Sequence, residues 1–550
     1  MSVGLATSPQ TSKGIIPEDD PWLRWNTFAT RDIGGGYNHA LLEAAQGVLP
    51  EIRLGPVPGG MQWPLWLPGQ YPPHHFGAGG FNCLWYYYYL NYWQPLVGTL
   101  YWDEIARMNN RELPLVVTAG MAGEDEPTYY RNKFFLHMAG GVQGFNYFTY
   151  GEGERRPRGL AEIGRLGTGI VRSYYPLLGR LRPSRHAVGL LLPHTHVIHD
   201  NDYTARVIYA YANLLAAHVD VEPTCEEELI SGDANRYRVI LLHGVKWLRQ
   251  KAYDALTKYA RDTGTVLLDA STALEIPGSR RLGVDLAMGP NRTRSAGGKP
   301  SFDYPWLHDY LLPERVAAVR VAVSRFVRPE IDSSSIELVC RQAEADGIRY
   351  LWLVHVHSHE DYEYLRPRIG AGSRPDHPQQ ARREAIAYLD AKDREHSGRF
   401  TATVRIPSGY VPYDVLRGQQ IHAQPIDDGV QFSASMPCLG GQLVALYRRR
   451  IAAVKIETPA KVAPGNQIQV KVVVQGDDGR PMPGSQPLHV EISQAGRPFS
   501  EWTGSYVTTH GALEFPLHPA MNHPRGDWQI AVRELSSGHE SRRKLCVADR

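Results

Sequence analysis

Acidic residues gather in two short stretches of this chain, Glu124-Asp125-Glu126 and Glu152-Gly153-Glu154. Each follows an apolar run rich in β-branched or aromatic residues, so each should sit on a loop at the end of a strand. Two carboxylates in unlike environments, one kept protonated and one ionised, are the minimal equipment for general acid/base or nucleophilic chemistry. Glu124 and Glu126 are the candidate catalytic carboxylates, and Glu152 is a candidate ligand contact. The competing role is structural. Pro127 follows directly, and acids before a first-turn proline suit the free N–H groups and the positive end of a starting helix.

Aromatic residues crowd the same region. Residues 81–93 read FNCLWYYYYLNYW and residues 144–150 read GFNYFTY. Flat rings with polar edges suit a ring-shaped polar ligand such as a sugar, which makes Trp85, Tyr92, Trp93 and Tyr150 candidate platforms. Asn146 and the loop residue His75 add hydrogen-bonding groups. Strand alternation sends half of the aromatics to the opposite face, where their role is packing.

These residues need elements to hold them. Residues 113–118 (LPLVVT) read as a buried parallel strand closed by the glycines Gly120 and Gly123. Residues 127–138 read as a helix with Tyr130, Phe134, Leu136 and Met138 inward, stopped by Gly140-Gly141, and 142–150 as the next strand. This is a strand–helix–strand unit of an α/β barrel or doubly wound sheet, folds that place their sites at the carboxyl ends of strands. Upstream, residues 22–46 show helical spacing around a Gly34-Gly35-Gly36 break, 51–57 read as a strand, and 56–80 as a long Gly/Pro-rich loop of the kind that is functional or disordered. Only about four strands can be counted up to Tyr150, against the eight of a (β/α)8 barrel.

Beyond a helix at 160–178 and a linker at 179–183, a fresh alternation runs from 187 to 269 and reads as a small flavodoxin-like domain. His194, His196 and His199 fall at the carboxyl end of its first strand. After residue 287 the pattern turns to strands and turns, with a hairpin about Asp346-Gly347 and, from 451 onward, the turn-punctuated alternation of a β-sandwich of about seven strands. The expected fold class is multidomain α/β plus β. Its parts are a disordered or cut end at 1–19, the C-terminal part of a (β/α)8 barrel at 20–183, the flavodoxin-like domain at 184–290, a β-rich domain at 291–450 and an immunoglobulin-like or macroglobulin-like sandwich at 451–550.

Composition bounds the partners. The 550 residues are 43% hydrophobic and 21% charged, with a net charge of +2, so no field strong enough for nucleic acid is expected. No stretch reaches the roughly 18 apolar residues of a membrane span, and the first twenty residues lack a signal-peptide layout. Five cysteines at 83, 225, 340, 438 and 546 show no CxxC spacing, so neither zinc nor a disulfide framework is expected. His355, His357 and His359 share one strand face, but apart from Glu360 and Asp361 no acid is placed near them to complete a metal site. No metal and no cofactor is expected.

The chain resembles glycoside hydrolases of the β-galactosidase type, which join a clan-A barrel to an amidotransferase-like trimerisation domain and then β-domains. The carriers are Pro50-Glu51-Ile52-Arg53-Leu54-Gly55, the Phe145-to-Tyr150 strand after Ala139-to-Gly144, and the 349–357 block. The resemblance implies hydrolysis of O-glycosidic bonds by two carboxylates about 5 Å apart in the retaining case, and a carbohydrate partner. It implies a nucleophile near Ala119 or Gly120, where no acid stands, which leaves Glu124 the nearest. If 113–118 is the seventh strand, the first four and the acid/base would lie upstream of Met1. The enzyme class is thus open between hydrolase and a non-catalytic carbohydrate-binding or assembly protein. A homo-oligomer is expected, because a partial barrel leaves sheet edges to pair. An amidotransferase cysteine is not expected, because His243-Gly244-Val245 occupies its place.

Overall fold

In the computed structural model, residues 14–54, 84–88, 97–108, 113–120, 127–148, 156–200, 203–287, 313–356, 364, 368, 376–395 and 399–549 are described. A three-stranded parallel sheet takes Leu84–Tyr88, Leu115–Gly120 and Gly144–Phe148 in that order, with Leu115–Gly120 central. The helices Val97–Arg107 and Pro127–Ala139 lie between these strands in the chain. Leu115 and Val117 are buried, and Phe145, register partner of Val117, stacks on Phe134 of the second helix at 5.4 Å. Alternation therefore turns Asn146 to the other face, where it is exposed.

A five-stranded parallel sheet follows. Numbered along the chain, Val188–Leu192, Val221–Cys225, Val239–Leu242, Thr265–Leu268 and Arg280–Arg281 lie in the spatial order 2-1-3-4-5, the doubly wound order of flavodoxin-type sheets. The first three are buried at every position, which is why the first and third read as unbroken apolar runs, while the second buries Glu222 and Thr224 as well.

The β-rich part packs a six-stranded sheet against a four-stranded one. Strand Ile348–His355 serves two cores by alternation. Leu351 and Leu353 join Val404, Ile406, Phe432 and Met436 between the two sheets, while Tyr350, Trp352 and Val354 join the core shared with the α/β parts. Its hairpin turns at Asp346 and Gly347 with φ of +48° and +78°, the two left-handed positions of a type I′ turn. The C-terminal sandwich sets Ile451–Glu457, Ile468–Gly476 and Ala512–Leu517 against a sheet built on Pro487–Gln494, Gly526–Glu534 and Glu540–Val547.

Five expectations change. Order begins before residue 20, since Ile15–Ile16 pairs in parallel with Leu248–Arg249. The helical stretch from Pro21 packs on the doubly wound domain, with the Trp22 indole donating to Ile198 O at 3.3 Å, and is not part of the three-stranded unit. Its glycine run does not break it; Phe28–Gly35 winds as a π-helix between Pro21–Thr27 and Gly36–Val48. The expected strand at 51–57 is not formed over 51–54, and the expected linker at 179–183 contributes Arg182–Pro183 as an edge strand paired with Ala343 and Glu344. A two-residue strand suffices there because the neighbouring hairpin is already fixed.

Candidate functional site

The three parallel strands end together. Tyr88 pairs with Ala119, Ala119 with Tyr147 and Gly120 with Phe148, so their carboxyl ends share one edge at the usual ~4.8 Å strand spacing. Of the candidate residues, Asn146 lies exposed on the last strand, one pair short of that edge, and Trp85 occupies a strand position paired with Val116. His75, Tyr92, Trp93, Glu124, Glu126, Tyr150 and Glu152 lie outside the described residues.

The helix that starts right after Glu126 is held by polar ties as much as by its rings. Asn132 donates to His355 O at 2.6 Å and to Leu439 O at 3.2 Å, and Arg131 reaches Glu162 at 2.9 Å and Cys438 O at 3.1 Å. His137 Nδ1 meets both oxygens of Asp103 at 3.1 and 3.2 Å, with both side chains fully buried. Burial lowers the His137 ring below its ordinary range against the pull of Asp103. Burial also brings Lys133 down to about 7, so a cationic lysine sits at the edge of deprotonation inside this helix. Nothing in the sequence marked Lys133, Asp103 or His137, since a charged residue at a helical position reads as solvated until the surrounding modules are known.

A second polar centre occupies the carboxyl ends of the doubly wound sheet, where such folds bind ligands. His243 and Asp269 close adjacent strands. Asp269 accepts from His243 Nδ1 at 2.6 Å, Ser271 Oγ at 2.8 Å, Thr272 N at 2.9 Å, Thr272 Oγ1 at 2.8 Å, and Gly244 N and Leu286 N at 3.2 Å. Burial alone would raise this carboxyl, but the His243, Ser271 and Thr272 bonds outweigh it and hold it at about 2. Ser271 and Asp269 both address the same ring nitrogen, with Ser271 Oγ 3.3 Å from Nδ1. A nucleophilic triad needs the serine on the opposite ring nitrogen, so this is not one. His243, Asp269 and Asp285 come within reach of one cation among the described residues. The donors already spent on Asp269 exceed the roughly four lone-pair sites of a carboxylate, which leaves none directed at a metal. The arrangement is a knot that ties three loops.

The neighbouring His196 is buried and neutral. Its Nδ1 accepts from Lys246 N at 2.9 Å, and burial lowers the ring to about 4 although Asp200 lies 3.6 Å from Nε2. His355 accepts from Leu439 N through Nδ1 at 2.9 Å and stacks on Phe400, a packing role. Cys225 and Cys340 are buried free thiols, and Cys438 is buried as well.

No family model matches the sequence, and no curated protein matches it. Among solved structures the chain is similar to a GH42 β-galactosidase from G. stearothermophilus, at 10% identity over 76% of this chain and 67% of that chain with a TM-score of 0.48. It is similar also to the β-galactosidase of Bacillus circulans sp. alkalophilus, at 10% identity over 67% and 60% with a TM-score of 0.42. The GH42 exo-carrageenase of Bacteroides ovatus aligns at 13% identity over 62% and 43%, with a TM-score of 0.36. The chain thus spans between 43% and 67% of the length of these enzymes. Superpositions of this quality fix no residue correspondence.

Proposed function

We propose that this chain is a glycoside hydrolase of the β-galactosidase type or the C-terminal portion of one, acting on O-glycosidic bonds with two carboxylates. In this reading the three-stranded unit is the last part of a (β/α)8 barrel, the doubly wound domain is the assembly module beside it, and the protein works as a homo-oligomer on a carbohydrate. One observation carries the reading. The carboxyl ends of three adjacent parallel strands share an edge, and each runs directly into a segment holding candidate residues: Tyr92 and Trp93, then Glu124 and Glu126, then Tyr150 and Glu152. Active sites of barrel enzymes are built at that edge.

Glu124 stands four positions after Gly120, the last residue of the central strand, and is the carboxylate on which the reading depends. A second reading, a non-catalytic carbohydrate-binding or assembly protein, is favoured by Ala119 and Gly120 themselves, which close that strand without an acid. Chromogenic galactosides decide between the two. Turnover above background that Glu124→Gln abolishes, with the circular dichroism spectrum retained, supports the hydrolase. Saturable galactose binding with turnover at background supports the second reading, and absence of both overturns the carbohydrate assignment.

A further inference from the structure

Half of the large hydrophobic residues exposed among the described ones, six of twelve, stand on one helical stretch, residues 21–48. They are Trp25, Phe28, Ile33, Tyr37, Leu41 and Val48, between 45% and 78% exposed. Leu23, Asn26, Thr30 and Leu42 of the same stretch are buried. The helix therefore turns one side to its own chain and an apolar side to solvent, and an apolar patch of that extent marks a contact surface.

The π-helical segment keeps both sides continuous. At the ~100° per residue of an α-helix, residues sixteen apart point about 160° away from each other. Asn26 and Leu42 are such a pair, yet both are buried; Trp25 and Leu41 are another, and both are exposed. Phe28–Gly35 bonds residue i to i+5 and so turns only about 80° per residue, which brings residues sixteen apart to within about 20°. Trp25, Ile33, Tyr37, Leu41 and Val48 then form one stripe, with Phe28 at its border. The charged residues of the stretch, Arg24, Arg31, Asp32, His39 and Glu43, fall outside the stripe.

We propose that this stripe is the contact between two copies of the chain, paired antiparallel about a twofold axis near Tyr37. Three observations choose a second copy as the occupant. The six side chains expose roughly 700 Å2, so two such faces bury about 1,400 Å2, the size of a specific interface. The flanking charges are paired within the helix, Arg31 with Asp32 at 2.8 Å and His39 with Glu43 at 3.1 Å, so two like faces meet without repulsion. A helix that lies on a membrane carries a surplus of lysine and arginine on its polar face, which this one lacks. Finally, a groove of about 980 Å3 lies beside Trp25 and Phe28, with Ile230 among its other lining residues. It opens at the end of the stripe where an antiparallel copy brings the partner's Val48. This contact gives residues to the homo-oligomer of the functional reading and is independent of the hydrolase assignment.

Light scattering on the full chain at micromolar concentration is the test. The expected mass is twice that of the 61.6 kDa chain, or a higher even multiple. Tyr37→Glu combined with Leu41→Glu changes two exposed side chains and spares folding, which circular dichroism checks. It should halve the mass and raise the dissociation constant at least about a hundredfold, because it places charge in the centre of the contact. Val321→Glu, at an exposed apolar residue elsewhere, should leave the mass unchanged. A parent of single-chain mass or of an odd multiple overturns the proposal, and one that as a single chain sediments with phosphatidylcholine vesicles assigns the stripe to a membrane surface instead. An assembly that survives the double substitution, or that Val321→Glu disrupts equally, also overturns it while leaving a homo-oligomer through another surface.

Discussion

Single residues in this protein carry their chemistry through what buries them. His196 shows it with a sign that can be measured. Its folded ring is lowered to about 4 by burial, whereas an unfolded imidazole titrates near ~6.5, so the unfolded state binds the proton first as pH falls. Stability contributed by the neutral ring is complete above about pH 6.5 and is lost on the way down to about 4, with a loss of about 2 kcal/mol by pH 5. Urea denaturation at pH 7 and pH 5 should show that loss in the parent and a flatter response in His196→Gln, whose amide oxygen can still accept from Lys246 N. An unchanged slope in the variant would remove His196 from the account. The sequence made the histidines at 194, 196 and 199 visible, and it placed His243 and Asp269 at strand ends. It could not show that loops from 243, 269 and 286 converge on one carboxylate, because that convergence follows from strand order and not from local pattern.

At the scale of elements, the helix Pro127–Ala139 shows both what a pattern reveals and what it hides. Tyr130, Phe134, Leu136 and Met138 are buried as their types suggest, and Gly141 with φ of +72° ends the helix as Gly140-Gly141 announced. Asn132, Lys133 and His137 are buried too, so among the described side chains of this helix none is exposed. Polar residues at such positions read as surface until the β-rich sheet that covers them is placed, and that sheet comes some two hundred residues later in the chain. Asn132 is the joint. Its two bonds to the carbonyls of His355 and Leu439 fix the helix to that sheet. Asn132→Ala removes two buried hydrogen bonds at once and should cost about 1–3 kcal/mol. Thermal denaturation checks this, and a melting temperature within error of the parent would show the joint to be idle. The hairpin at Asp346-Gly347 was legible for the opposite reason, since both of its determinants are adjacent in sequence.

The whole molecule is assembled across buried charge, which bears on whether its parts unfold separately. Boundaries near 183, 290 and 450 suggest independent domains, but the first of them is zipped into the six-stranded sheet at Arg182–Pro183. Deeper inside, Arg341 of the β-rich sheet donates to Glu104 of the Val97–Arg107 helix at 2.5 Å and to Val221 O of the doubly wound sheet at 3.2 Å, with both charged side chains at most 2% exposed. Gln342 beside it donates to Asp220 at 2.8 Å, and His218 meets Asp332 at 2.9 Å across the same seam. An ion pair so placed is poor evidence of net stabilisation, because desolvating two charges offsets their attraction; removing one partner is another matter, since it strands the other. Arg341→Met should therefore cost about 3–5 kcal/mol, and adding Glu104→Leu should recover most of the loss. Because Arg341 touches three parts at once, the single variant should lower the midpoint of one shared unfolding transition and should not split off a separate early one. Differential scanning calorimetry with fluorescence as a second probe distinguishes these outcomes. An early transition confined to one part, or a double variant no better than the single, would show that the modules are merely neighbours and that Arg341 does not join them.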